Sequence, residues 1–366
     1  MKNKLLKGIL GLALVACSMA MVGFAVPNGD GDFNTPVIAY AEEVVATPTE
    51  QGTCGTSATW EYYEDTATLE IKGSGAMTTY SNGSAPWYAY ASNIKKIVVT
   101  DTITSISNGA FYGLNSLQEI TLPFVGKSRT ATSLEAVFGY IFGYEKSNYS
   151  GTTNQYSTYY YYIPQTISKV TITDATLISS YAFSKCSNIT EINLNDEITS
   201  VGDYAFSNCS KLDTFKLPNS LTTIGTYAMQ NCNALTDVEI PSGITTIPGY
   251  LFYCCSSLTD IKLHADITSI GDCAFYSCIK LKDIDLPENL ETIGSSAFYS
   301  CGAFTKIVIP NKVTTIAESA FSGCTNVVDL TIGTSVNSIG SGAFYNISKV
   351  QQLLIPKCTN NRERCI

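Results

Sequence analysis

The sequence predicts a β-rich solenoid whose parallel strands form one sheet along a concave face. The main observation is a phrase that returns every 23 residues, with an Ala-Phe pair or a close variant in each copy. The pairs begin at Ala182, Ala205, Ala228, Leu251, Ala274, Ala297, Ala320 and Ala343, and an earlier one begins at Ala110. Each copy also carries one short alternating apolar run, the pattern of a strand with one buried face. A fixed period of about 20–30 residues indicates stacked repeats rather than the two domains that length alone suggests.

The first 41 residues have the pattern of a signal peptide. Three lysines lie within the first seven residues, and an apolar run follows over residues 8–26. Ala39-Tyr40-Ala41 has the small-x-small form of a signal-peptidase site. We therefore expect export with cleavage after residue 41, giving a secreted or cell-surface protein. Two alternatives stay open: an uncleaved membrane anchor, and a lipoprotein anchored through Cys17 in the run Leu14-Val15-Ala16-Cys17.

Residues 52–87 are predicted to form a short N-terminal β cap, after a flexible lead over residues 42–51. The alternation in Trp60-Glu61-Tyr62 and in Leu69-Glu70-Ile71, followed by Gly73-Ser74-Gly75, indicates a β-hairpin. A bare solenoid end would expose apolar surface to water. We expect the hairpin to cover the first rung.

The repeat phrase itself assigns a role to each position when it is numbered from its Phe. The copy from Phe206 has Cys209 at position 4 and the strand phrase L-x-x-F-x-L from Leu212 to Leu217. Positions 10 and 12 point inward, and positions 9, 11 and 13 point outward. Pro218 at position 13 ends the strand because it lacks an N–H donor. About ten such rungs are predicted over residues 88–356, with a C-terminal tail over 357–366.

A tyrosine-rich insert interrupts the period at about residues 124–165. Long inserts in one rung often form binding loops, and tyrosine is a good contact residue. The candidate contact residues are Tyr140, Tyr144, Tyr156, Tyr159, Tyr160, Tyr161 and Tyr162. The alternative is a distorted rung that packs through Phe138, Ile141 and Phe142.

Seven of the 13 cysteines follow the period at the inward position 4. They are Cys186, Cys209, Cys232, Cys255, Cys278, Cys301 and Cys324. A single file along the solenoid does not suit a tetrahedral metal site, so we expect a structural ladder of free thiols. Two further pairs could form disulfides: Cys254 with Cys273 across adjacent rungs, and Cys358 with Cys365 in the tail.

Positions 9 and 11 place a mixed but mainly acidic set of side chains on the outer surface of the predicted sheet. The candidate ligand-binding residues there are Glu191, Lys216, Asp237, Glu239, Asp260, Lys262, Asp283, Asp285 and Asp329. These residues are interpreted either as a strip that docks a basic or polar ligand or as an ordinary solvated face.

Charge and composition exclude several classes of function. The net charge is −9, which disfavours nucleic acid and anionic lipid as partners. The one histidine, His264, is predicted to be exposed at a strand end, and no base stands near a candidate nucleophile. We expect no catalysis and no cofactor.

The phrase F-x-x-C-x-x-L-x-x-I-x-L-P-x-x-I-x-x-I-G-x-x-A resembles the 23-residue bacterial leucine-rich repeats of the BspA-like surface-antigen family. The resemblance extends over residues 88 to about 356, and the N-terminal segment and the insert are similar to parts of that family as well. It implies a leucine-rich-repeat solenoid that binds an extracellular protein or another cell-surface ligand, as an adhesin does. Two alternatives stay open: a spacer module of a larger surface protein, and a module that captures glycan. We expect a monomer.

Overall fold

The computed structural model describes residues 46–145, 153–156 and 159–354. Their fold is a parallel-strand β-solenoid of about 11 turns with almost no helix. The predicted signal segment, Cys17, Ile355, Pro356 and the tail with Cys358 and Cys365 lie outside the described residues.

The strands are short, and each turn of the solenoid carries one or two of them. In chain order they are β1 (Glu50–Thr53), β2 (Gly55–Tyr63), β3 (Thr68–Met77), β4 (Lys96–Val99), β5 (Ile103–Ser105), β6 (Glu119–Leu122), β7 (Tyr144–Glu145), β8 (Thr153–Tyr156), β9 (Tyr159–Tyr161), β10 (Lys169–Ile172), β11 (Leu177–Ile178), β12 (Glu191–Leu194), β13 (Ser200–Val201), β14 (Thr214–Phe215), β15 (Thr223–Ile224), β16 (Asp237–Glu239), β17 (Thr246–Ile247), β18 (Asp260–Lys262), β19 (Ser269–Ile270), β20 (Thr292–Ile293), β21 (Lys306–Val308), β22 (Thr315–Ile316), β23 (Asp329–Thr331), β24 (Ser338–Ile339) and β25 (Gln352–Leu354). Three 3₁₀ segments accompany them: η1 (Pro86–Tyr90), η2 (Ser133–Glu135) and η3 (Phe138–Phe142).

The N-terminal segment adds three antiparallel strands to the first rung. β1 pairs with β2, and β2 pairs with β3. β3 then runs parallel to β4, so this segment continues the sheet of the solenoid. β1 begins at Glu50, inside the stretch that the sequence assigns to a flexible lead. Trp60 and Tyr62 lie on the buried side, because alternate residues of β2 face the rungs.

The main sheet presents a surface called here the strand face, formed by the outward side chains at positions 9 and 11. β4, β6, β10, β12 and β14 follow each other in one parallel path, β16 and β18 form a second, and β21, β23 and β25 form a third. A second line of short strands lies further along each rung: β11, β13 and β15, then β17, β19, β20, β22 and β24. The inward Ile, Val and Leu side chains of both lines fill the core.

A row of large apolar residues, called here the Phe row, runs along the opposite edge. Its repeat members are Phe183, Phe206, Met229, Phe252, Phe275, Phe298, Phe321 and Phe344. Successive rings stack at centroid distances such as 5.6 Å for Phe183 and Phe206. The backbone N–H of Phe206 donates to the carbonyl of Ala228 in the next rung at 2.8 Å. The row therefore joins rungs by both ring contact and backbone hydrogen bonds.

The seven cysteines at position 4 lie directly beneath the Phe row as buried free thiols. In six of them the thiol donates to the carbonyl of the Phe-row residue one rung earlier, at 3.1–3.3 Å. Cys255, for example, donates to the carbonyl of Met229 at 3.1 Å. A thiol suits this place because it is small and apolar yet can still satisfy a buried carbonyl. Burial raises the pKa of Cys324 to about 12.

The Phe row also passes through the tyrosine-rich insert. Phe138 in η3 packs on Phe183 at 5.2 Å, and Phe142 packs on Phe111 at 6.5 Å. One rung earlier, Trp87 lies 6.0 Å from Phe111 and donates its indole N–H to the carbonyl of Ala110. Residues 138–142 therefore take the place of a normal Phe turn. The added length forms the antiparallel sheet β7–β9–β8.

Gln155 attaches this small sheet to the solenoid. Its side chain is buried, and its Oε1 accepts the N–H of Gly139 at 2.6 Å. Its Nε2 donates to the carbonyl of Ser184 at 3.1 Å and lies 3.2 Å from the sulfur of Cys186. In the regular rungs that carbonyl position accepts a backbone N–H, as Ser207 does from Lys185. The amide thus supplies the donor that the irregular insert lacks.

Candidate binding face

The strand face gathers the nine charged candidate residues into two adjacent files. Lys216, Asp237, Glu239, Asp260, Lys262, Asp283 and Asp285 are exposed, and Glu191 and Asp329 are half-buried. β16 and β18 place Asp237 beside Asp260 and Glu239 beside Lys262. Like charges directly opposite each other destabilise a sheet, whereas the Glu–Lys pair stabilises it. Negative charge is therefore concentrated at Asp237 and Asp260.

The end of the strand face at Glu191 is less available, because its charges are already paired. Lys169 contacts Glu191 at 2.9 Å, and Asn193 donates to the same carboxylate at 2.6 Å. The hydrogen bonds from Asn193 and Lys169 hold the pKa of Glu191 below its usual range. At the other end Lys306 stands beside Asp329 in register.

Asp283 has a structural role in addition to its charge. Its carboxylate accepts the backbone N–H groups of Thr305 at 2.6 Å and Lys306 at 3.0 Å. In the next rung the N–H of Asp329 instead donates to the carbonyl of Thr305. The Asp283 side chain thus replaces a ladder bond, and no strand is present between β18 and β21 on the strand face. Burial raises the pKa of Asp283, but these hydrogen bonds lower it further and leave it below its usual range.

A cleft of about 610 Å³ opens on the strand face next to the acidic pair. Its lining includes Asn193, Asp196, Asp213, Phe215, Lys216 and Asp237. Phe215 occupies position 10, where the other repeat rungs have smaller side chains such as Ile192 and Val238. Those are buried, whereas Phe215 meets Phe206 at 4.8 Å and stays half-exposed. A ring too large for this position keeps β14 from continuing into β16.

We call the boundary between the rungs that start at Phe206 and Met229 the seam. Two more features of the regular repeat are interrupted there. In the other rungs the residue at position 20 donates its N–H to the second strand of the preceding rung, as Gly225 does to Val201 at 2.8 Å. Pro248 holds that position after the seam and has no N–H, so β15 and β17 belong to separate sheets. Met229 replaces phenylalanine in the Phe row there. The cleft therefore lies where the rungs are least tightly joined on the strand side.

The insert tyrosines divide between core and surface. Tyr140 and Tyr161 are 7% and 0% exposed, so the expectation that these two contact a ligand is wrong. They are buried because η3 and β9 pack into the Phe-row side of the solenoid. Tyr144, Tyr159, Tyr160 and Tyr162 are half-buried. Tyr156 lies in β8, and its side chain is outside the described part.

His264 differs from expectation, and the two cysteines outside the ladder do not form the disulfide that the sequence left open. His264 is half-buried rather than exposed, with Nε2 at 2.9 Å from the carbonyl of Ile244 and 3.1 Å from that of Pro241. Cys254 and Cys273 are half-buried free thiols and not a disulfide. A hydrogen bond with Cys273 raises the pKa of Tyr250 to about 12.

A line of stacked tyrosines beside the Phe row was not anticipated. Tyr181, Tyr204, Tyr227 and Tyr250 stack at centroid distances of 4.9, 4.6 and 4.3 Å. Through Tyr253 the line continues to Tyr276 and Tyr299. We call these seven residues the tyrosine file. The first four recur every 23 residues in the sequence, so the same period that predicts the rungs could have revealed them.

Neither a membrane helix nor a metal centre is found among residues 46–145, 153–156 and 159–354. No helical segment there is long and apolar enough to cross a bilayer. In that part of the chain, no three His, Cys, Asp or Glu side chains are grouped so as to hold a metal ion.

Among solved structures, several bacterial repeat proteins are similar to this chain. A leucine-rich repeat protein from Eubacterium ventriosum is 22% identical, covering 86% of this chain and 98% of its own, with a TM-score of 0.40. A leucine rich cell surface protein from Faecalibacterium prausnitzii is 20% identical, covering 85% and 96%, with a TM-score of 0.39. The leucine-rich repeat protein of T. pallidum is 24% identical, covering 50% and 77%, with a TM-score of 0.36. No curated protein matches this chain.

A family model also matches most of the chain. The model described as the BspA type leucine rich repeat region, in six copies, matches residues 85–175, 154–270 and 245–365. These segments together include every regular rung, the insert and the strand face. The chain belongs to the BspA-type leucine-rich repeat family.

Proposed function

We propose that this protein, after export, binds another extracellular protein through the strand face without a catalytic step. The observation that carries this proposal is the exposed acidic pair Asp237 and Asp260 beside the cleft at Phe215. The pair costs stability in the free protein, and a basic surface on a partner would relieve that repulsion. The half-exposed Phe215 ring adds an apolar contact within the same patch.

Family membership supports the surface location, because proteins with BspA-type repeats are typically surface-exposed. The repeat fold suits protein binding, since stacked rungs present an extended surface. Adhesion to host matrix proteins or to other cells is the specific form that we propose.

The test measures binding of the chain from Glu42 onward to fibronectin, fibrinogen and whole bacterial cells at two salt concentrations. A variant with Asp237→Asn, Glu239→Gln and Asp260→Asn removes the central acidic charges. Its matched control neutralises three exposed carboxylates outside the strand face, Glu288, Glu291 and Glu318.

We expect saturable binding that weakens with salt and falls at least tenfold in the strand-face variant, but not in the control. Equal loss in both variants would mean that only net charge matters. Absence of binding to all three probes by a folded chain would contradict the adhesin proposal and favour a spacer module.

A further inference from the structure

The tyrosine file lies away from the strand face and has a feature that stability does not explain. Tyr181, Tyr204, Tyr227 and Tyr250 have left-handed backbones, with φ of 61°, 55°, 57° and 59°. Bulky residues rarely adopt this conformation, and the same position in later rungs is Cys273, Ser296, Ser319 or Gly342. The stacking of the rings stabilises the fold by only about as much as the left-handed backbone conformation destabilises it. Strained residues of this kind are often kept for a contact that they make.

A second cleft, of about 310 Å³, lies at the N-terminal end of the tyrosine file. It is lined by Gln155, Tyr181, Ser184, Lys185, Tyr204, Ser207, Asn208 and Gln230. This volume is at the lower end for small-molecule sites and suits one compact unit of a ligand. The lining combines aromatic ring edges with neutral hydroxyl and amide groups.

Some of these polar groups are already committed, and others are available to a ligand. Gln155 uses its amide to hold the insert, and Asn208 donates to Ser207 and accepts from Asn231. The Gln230 amide makes no side-chain hydrogen bond within the described part of the chain. It is therefore placed to donate to and accept from one ligand.

Lys185 gives the cleft its charge. It is the one charged residue in the lining, it is exposed, and no carboxylate of the described residues lies within 4.0 Å of its ammonium. It too has a left-handed backbone, with φ of 60°, where other rungs have Asn, Ser, Cys or Gly. The carboxylate of nearby Asp203 accepts from the N–H and hydroxyl of Thr226. Although the chain has a net charge of −9, Lys185 gives this cleft a local positive charge that favours an anion.

We propose that this cleft binds an acidic sugar residue, with Lys185 holding its carboxylate or sulfate. Sugar hydroxyls both donate and accept, which matches the Gln230 amide. A phosphorylated or strongly acidic peptide would require several cations, usually arginines, whereas one lysine suits a single negative group. The rest of the glycan would run along the tyrosine file, which covers six rungs spaced at about 4.8 Å.

The experiment titrates the full mature chain with 3′-sialyllactose, lactose 3′-sulfate and lactose, followed by saturation-transfer NMR and calorimetry. Lys185→Gln removes the cation, and Lys280→Gln is the matched control at another exposed lysine. Gln230→Ala tests the neutral part of the cleft, and circular dichroism checks that each variant is folded.

We expect one or both anionic sugars to bind at least tenfold more tightly than lactose. This preference should be lost in Lys185→Gln and kept in Lys280→Gln, and Gln230→Ala should weaken all binding. The carboxylated and sulfated probes show which anion is preferred. No binding of either anion, equal binding of lactose, or an unchanged preference in Lys185→Gln would overturn the proposal. The variant with three neutralised strand-face carboxylates should bind the sugars normally, so this test is separate from that of the proposed function.

Discussion

Cys255 provides the sharpest test of how the thiol ladder stabilises the solenoid. Its side chain is 0% exposed, and its thiol donates to the Met229 carbonyl at 3.1 Å. Alanine would remove one buried heavy atom, worth about 0.8 kcal/mol if it is treated as a methylene. It would also remove one of two hydrogen bonds to the Met229 carbonyl, which keeps the backbone N–H of Cys232 at 3.3 Å, and one such bond is worth about 0.5–1.5 kcal/mol. We therefore expect Cys255→Ala to lower the free energy of unfolding by about 1–2 kcal/mol.

Serine at the same position separates the two contributions. It keeps an O–H donor for the Met229 carbonyl but buries less apolar surface than sulfur. We expect Cys255→Ser to cost about 1 kcal/mol, less than the alanine variant.

Cys254 is a matched control because it is the preceding residue and is only half-buried. Cys254→Ala should change stability by no more than about 0.5 kcal/mol. Urea unfolding of the mature chain, followed by far-UV circular dichroism, gives the midpoints of all three variants beside the parent. If Cys255→Ala were no less stable than Cys254→Ala, or if serine were as costly as alanine, the hydrogen bond would have no measurable role.

Three further outcomes are expected. Alkylation mapped by peptide mass spectrometry should label Cys254 and Cys273 in the native chain and the buried ladder thiols only after unfolding, because burial raises their pKa and blocks access. Labelling of the ladder at the same rate would contradict the buried thiols. Gln155→Ala should lower the free energy of unfolding by about 2 kcal/mol, because the N–H of Gly139 and the carbonyl of Ser184 lose their hydrogen bonds to this side chain. It should also increase hydrogen exchange in β8 and β9. Unchanged exchange would argue against attachment of the small sheet through Gln155. The lowered pKa of Glu191 means that its hydrogen bonds stabilise the fold above the ordinary carboxyl pKa and are lost as pH falls through the lower folded value. Asn193→Ala should therefore cost up to about 1 kcal/mol at pH 7 and nothing near pH 2 by urea unfolding, and a pH-independent cost would refute this origin.

The sequence predicts the solenoid well because one period controls nearly every rung. Prediction was weakest where the period fails. Phe138 lies 27 residues after Phe111 and 45 before Phe183, so its place in the Phe row is hidden by the added hairpin. The interruption at Phe215 depends on how closely its ring meets Phe206, which spacing alone does not reveal. The charged files of the candidate site follow directly from strand alternation, whereas the two clefts depend on packing.

The seam has a mechanical consequence. Between the rungs that start at Phe206 and Met229, the strand side lacks continuous ladders, while Tyr227 and Tyr250 remain stacked at 4.3 Å on the far side. Tension along the solenoid axis would therefore not strain all rungs equally. The molecule should flex first at this joint, with the tyrosine edge acting as its pivot, and a pulling experiment should record its earliest extension there.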